Sequence, residues 1–77
     1  AGLPMDQLAG LMGWQGRALL AAGRDARAEL CFLVAARLAP QDPAHRFNAG
    51  FGAIAAGEPA AALGWFQGLE RVYEEDM

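Results

Sequence analysis

The sequence predicts an all-α fold of four helices, arranged as two antiparallel helix-turn-helix repeats. Three observations carry this. Residues of different kinds recur at an offset of 34: Gly16 returns as Gly50, Gly23 as Gly57, Ala28 as Ala62 and Phe32 as Phe66. Ala21, Ala22, Ala26 and Arg37 return in the same register as Ala55, Ala56, Ala60 and Arg71. Self-similarity at one fixed period marks a stacked repeat. Apolar residues are spaced by three and four, and no alternating run rich in Val, Ile and Thr suggests a strand. Finally, Gly and Pro fall between the apolar segments, where helices stop and start.

The first helix is predicted over about Met5 to Ala22, with Leu8, Leu11, Met12, Leu19 and Leu20 at helical spacing. Pro4 suits its start, because the first N–H of a helix has no partner in any case. Gly23 ends it, as glycine is the usual residue just past a helix. Asp25 is the expected cap of the second helix, about Ala26 to Ala39, whose apolar stripe is Leu30, Leu33, Val34 and Leu38. Pro40 disfavours helical geometry at Ala39 and closes the segment. Asp42 followed by Pro43 is a strong start for the third helix: a capping carboxylate, then proline at the first helical position. That helix ends near Ala56, before Gly57. Glu58 and Pro59 open the fourth more weakly, since Glu caps poorly. The fourth helix is expected to reach about Tyr73. Glu70, Glu74, Glu75 and Asp76 oppose the macrodipole there. Its last turn should therefore fray, or the chain continues past Met77.

Composition narrows the function. A chain of 77 residues makes one domain, with a first repeat over about 9–42 and a second over 43–76. Net charge is −3, with Arg and no Lys, so the basic stripe of a nucleic-acid binder is missing. No apolar run is long enough to insert in a membrane. No charged stretch precedes an apolar one near Ala1, so no signal peptide is visible in a chain that is expected to be cytoplasmic or a piece of a longer protein. One Cys excludes an internal disulfide and, with one His, a tetrahedral zinc site. Without Ser, Thr or Lys, a hydroxyl nucleophile, a Schiff-base lysine and a G-x-x-x-x-G-K-[ST] phosphate loop are all excluded. Only Cys31 with His45 could be put forward for catalysis, and nothing in the spacing joins them. Cys31 is expected to act as a small apolar residue. His45 is expected in solvent, within reach of Asp42. The expectation is a non-enzyme with no cofactor.

A Gly inside a helix costs about 1 kcal/mol relative to Ala, so Gly16 and Gly50 need a packing reason. They are expected to face Ala28 and Ala62, letting two backbones approach. Phe32 and Phe66, one turn later, would fill the gap beyond. At these residues the chain resembles the tetratricopeptide repeat family, whose period is 34 and whose pattern includes a mid-helix Gly, A-x3-F and a closing Pro. Gly16, Ala28, Phe32, Ala35 and Pro40 fit the first unit; Gly50, Ala62 and Phe66 fit the second. The departures are Met12 and Arg46 at the family's Trp position, Gln15 and Ala49 before the glycine, and Leu19 and Ala53 at its Tyr. Leu69 stands where a small residue is usual, and Glu74 where the closing Pro would be.

The resemblance implies a fragment of a right-handed α-solenoid that binds protein in a concave groove. The first and third helices would line it. Their mutual packing faces would be Met12, Gly16 and Leu19 against Arg46, Gly50 and Ala53. Gly13, Trp14, Arg17 and Ala21 would line the groove from one helix, with Phe47, Asn48, Phe51 and Ile54 from the other. Phe47, Phe51 and Ile54 share one stripe. The expected ligand is an apolar helical or extended segment of a partner protein. The alternative is that these aromatics are ordinary core. The resemblance also implies that Asn48 holds a ligand backbone, while only Arg17 suits a carboxylate clamp. Two units leave the last apolar face uncovered, so Trp65, Leu69 and Val72 are expected to face solvent in part, as a partner or homodimer surface. An adaptor or chaperone role follows. The run from Arg46 to Ala53 also resembles the repeat chaperones of type III secretion, which hold translocator or needle subunits. A third reading is a helical subunit that uses these surfaces only to oligomerise.

Overall fold

The computed structural model describes the backbone of residues 4–76 and the side chains of residues 4–67 and 69. Four helices follow one another: α1 (Met5–Ala21), α2 (Asp25–Leu38), α3 (Pro43–Ala55) and α4 (Pro59–Asp76). No strand occurs among the described residues, and the fold is all-α. Each helix packs along the next, and α3 meets α1 over a shorter stretch. The shortest dimension is 15 Å, which fits two layers of helices.

The period seen in the sequence recurs in the backbone hydrogen bonds. Gly23 and Gly57 both have φ 78°, the left-handed region that glycine enters without steric cost. After α1, the Gly23 N–H donates to the Leu20 carbonyl and the Arg24 N–H to Leu19, at 3.0 and 2.9 Å. After α3, the Gly57 N–H donates to Ile54 and the Glu58 N–H to Ala53, at 3.0 and 2.8 Å. These are two Schellman closures in the same register, each satisfying carbonyls that the helix end leaves free.

The starts differ from one another. Asp42 caps α3: its Oδ1 accepts from the Ala44 N–H at 3.0 Å, with Pro43 at the first helical position. Asp25 does not cap α2, contrary to expectation. The Schellman turn carries helical geometry back to Asp25, so Arg24 becomes the cap residue and offers no side-chain bond. Asp25 instead places its charge in the first turn, where the macrodipole favours it. Ala39 leaves helical geometry before Pro40, as expected, with φ −133° and ψ 69°. The acidic end does not stop α4 near Tyr73; the helix runs to Asp76.

The core is built from small residues. Ala9, Ala28, Ala35, Ala36, Ala39, Ala49, Ala53 and Ala62 are buried, and Phe32 is the large side chain fully enclosed among them. The expected apolar stripe of α2 holds only in part: Leu33 and Leu38 pack against the core, but Leu30 and Val34 do not. Ala28, Cys31, Phe32, Ala35 and Ala36 turn inward, while Leu30 and Val34 lie outside. Leu11 of α1 is likewise exposed. Helices packed through Ala and Gly leave little volume between them, and the branched side chains are displaced to the flanks.

The glycines show why. A Cβ on Gly16 would stand 2.5 Å from the Phe32 ring, and one on Gly52 would stand 2.7 Å from its other edge. Phe32 is thus the direct occupant of the space that Gly16 vacates, rather than a plug one turn beyond Ala28. Phe66 meets Gly50 in the same way in the second hairpin. There the likeness ends: Phe32 is 1% exposed, whereas Phe66 is only half-buried.

Candidate functional site

The glycine contacts bring α1, α2 and α3 together around a cleft of about 170 Å³. Arg17 and Leu20 of α1 form one wall, and Phe47, Asn48 and Phe51 of α3 the other. The edge of Phe32 is its floor. Arg17, Phe47, Asn48 and Phe51 are residues the sequence points to, and the structure gathers them. Leu20 and Phe32 are additions. Leu20 stands one turn after Arg17 on the same face of α1, a spacing that could have indicated it.

The aromatic residues are not enclosed. Phe47 is 49% and Phe51 51% exposed, so neither is ordinary core. Their rings lie 6.3 Å apart, and Phe47 also meets Phe66 at 5.8 Å. These tilted arrangements suit the ring quadrupoles. Ile54 continues the stripe at the surface without lining the cleft. Trp14 is 80% exposed and lines a second, more open hollow of about 320 Å³ with Arg17 and Ala18. Arg17 therefore borders both hollows.

Two expected lining residues belong elsewhere. Gly13 is buried, with the His45 imidazole 3.5 Å from its Cβ position. Ala21 is exposed and lines neither hollow. His45 is also corrected: its side chain is 12% exposed rather than solvated, since Gly13 leaves room for the ring between α1 and α3. Its Nε2 lies 3.6 Å from Asp42 Oδ2, an ion pair only when the ring is protonated. No hydrogen bond or ion pair joins His45 to Cys31 among the described residues.

The expected open face of α4 is corrected at Leu69. Leu69 is 5% exposed and belongs to the core. Trp65 packs against the core and is half-covered, with the Arg46 guanidinium 5.1 Å from its ring centre, a cation–π contact. Val72 lies outside the described side chains. Among the described residues of α4, Leu63 is a large apolar side chain left exposed, at 59%. It repeats nothing at its own offset, as Glu29 holds the matching place, and this is why the periodic signal missed it.

The chemistry available in the cleft is limited. Arg17 supplies one charge and Asn48 one amide; the rest is apolar. Asn48 makes no side-chain hydrogen bond among the described residues, leaving both a donor and an acceptor free. A volume of 170 Å³ is smaller than the sites that enclose drug-sized molecules, and suits one or two side chains of a larger partner. No group of three His, Cys, Asp or Glu is placed to hold a metal among the described residues. No described helix is long and apolar enough to cross a membrane.

Away from the cleft, burial raises the Glu29 carboxyl above the usual carboxylate range, and the neighbouring carboxylate of Glu58 adds to this. Comparison with protein-family models, with curated proteins and with solved structures gives no match.

Proposed function

We propose that this chain is a protein-interaction module of the tetratricopeptide type, acting as an adaptor or chaperone. It seats an apolar helical or extended segment of a partner in the cleft between α1 and α3. The observation that carries this reading is the pair Phe47 and Phe51, each half-exposed over a cleft that also offers an unbonded amide. Aromatic rings left at a surface beside a small hollow give large contact area at little cost in side-chain freedom. Asn48 would bond the ligand backbone, and Arg17 would set its direction through a carbonyl or carboxylate.

Selection from a displayed library of helical and extended peptides tests this. Enrichment of sequences with apolar anchors, and a binding loss of about tenfold or more in Phe51→Ala, is the expected result. Thermal melting of that variant should stay close to that of the parent. Equal binding by Phe51→Ala would remove the cleft from consideration. Selection of acidic peptides that depend only on Arg17 would mean a charge-reading site instead.

A further inference from the structure

The junction between the two hairpins has counterparts at both ends of the molecule, one period away. At the junction, Gly13 lies under His45 and Asn48, and Phe32 and Glu29 press on Gly52. One period before His45, Asn48 and Gly52 stand Leu11, Trp14 and Ala18 on α1. All three are exposed. One period after Gly13, Glu29 and Phe32 stand Phe47, Leu63 and Phe66. Phe47 and Leu63 are about half-exposed or more, and among the described residues no glycine covers Phe66 on its second side as Gly52 covers Phe32.

One end thus presents the face that α3 offers at the junction, and the other presents the face offered by the first hairpin. They are the two halves of a contact already built once inside the chain. The changes between junction and ends run in one direction. Glycine, Glu, His and Asn within are matched by Phe47, Leu63, Leu11 and Trp14 at the ends. A face selected for solvent would change the opposite way. A contact between separate chains also has to offset lost translational and rotational freedom, and needs more apolar area than one within a chain.

We infer that the protein associates head to tail with a second copy of itself. Phe47, Leu63 and Phe66 of one copy seat against Leu11, Trp14 and Ala18 of the next. Ala18 brings a Cβ where Gly52 has none, so the copies sit farther apart than the hairpins do, and Trp14 and Phe47 fill the difference. The contact is heterologous: each copy keeps one free face of each kind, so rows grow rather than closing as symmetric pairs.

Sedimentation of the full chain and of two variants, Ala18→Glu and Leu63→Glu, tests this. Phe47 belongs to both the cleft and this contact, but Ala18 and Leu63 are exposed and line no part of the cleft, so these two variants break the contact between copies without altering the cleft that the peptide selection reads. The parent should show a mass that rises with concentration above the 8.1 kDa of one chain. Each variant alone should remain monomeric. An equal mixture should form pairs and nothing larger, because only one intact junction can be made. A parent that stays monomeric overturns the inference. So does association that survives either variant, since a different occupant or surface is then involved, and so does a mixture that fails to pair, as a symmetric contact would. Leu11→Glu and Leu63→Gln replace any variant that loses its helical circular dichroism.

Discussion

The Phe32 ring lies 2.5 Å from the point where a Cβ would stand on Gly16. Gly52 confines the ring on its other side, so it has little room to withdraw directly from Gly16. Gly16→Ala therefore overpacks a closed site, at about 1–3 kcal/mol, against a helix gain of about 1 kcal/mol. A net loss of about 1 kcal/mol is expected. Gly50→Ala meets Phe66 just as closely, but Phe66 is half-buried and can swing outward. There the helix gain offsets the crowding, and the net change is near zero. Urea midpoints of the two variants check this. Equal losses would show that the two glycines are equally enclosed.

Much of this arrangement was legible because it repeats. Gly23 and Gly57 announced their turns, and the turns formed with matching hydrogen bonds. Asp42 with Pro43 announced a cap, and the carboxylate occupies it. What periodicity could not show was which side of a helix faces inward when the core is alanine. Leu30 and Val34 formed the more apolar stripe of α2, yet Ala28 and Ala35 are enclosed. Apolar spacing locates a face by size of side chain, whereas close packing selects for smallness. The same limit placed Leu69 outside and left Leu63 unnoticed. For the cleft, Phe47 and Phe51 were legible from their spacing on one helix, and Asn48 from the resemblance to the repeat family. Phe32 at the floor was not, because its ring reaches the cleft only through a gap that two glycines make.

The two aspartates at helix starts should separate in mutation. Asp42→Ala removes a side-chain cap at 3.0 Å and should cost about 1 kcal/mol. Asp25→Ala removes only a first-turn charge and should cost a few tenths of that. Added salt should shrink the Asp25 effect and leave most of the Asp42 effect in place. Thermal melts at low and high salt give both numbers, and equal costs would mean that Asp25 is bonded in solution.

Phe32 and Phe51 should separate in the same sense. Phe32→Ala empties an enclosed site and should cost about 3–5 kcal/mol, enough to unfold a domain this small. Phe51 is half-exposed, so Phe51→Ala should cost about 1 kcal/mol or less. Circular dichroism of the two variants decides it. Loss of helix in Phe51→Ala would mean that the ring supports the fold and is no free surface for a ligand.

Glu29 gives a prediction about pH. Burial and the Glu58 carboxylate raise its pKa in the folded chain. A raised folded value means that the folded state holds the proton more tightly than the unfolded state does. The resulting stability is fully present below the unfolded pKa and is lost as pH rises through the folded one. Glu29→Gln never ionises and escapes that loss. The variant and the parent should melt together in acid, below the ordinary carboxylate range. They should diverge as pH rises through the range just above it, with the variant melting higher at neutral pH. The margin should be small, because solvent screens much of the repulsion between two partly exposed carboxylates. Glu58→Gln should reproduce part of the gain, since it removes the neighbour but not the burial. A parent that melts higher than Glu29→Gln at neutral pH would mean that the carboxylate has a favourable partner in solution, and that its pKa is lowered rather than raised.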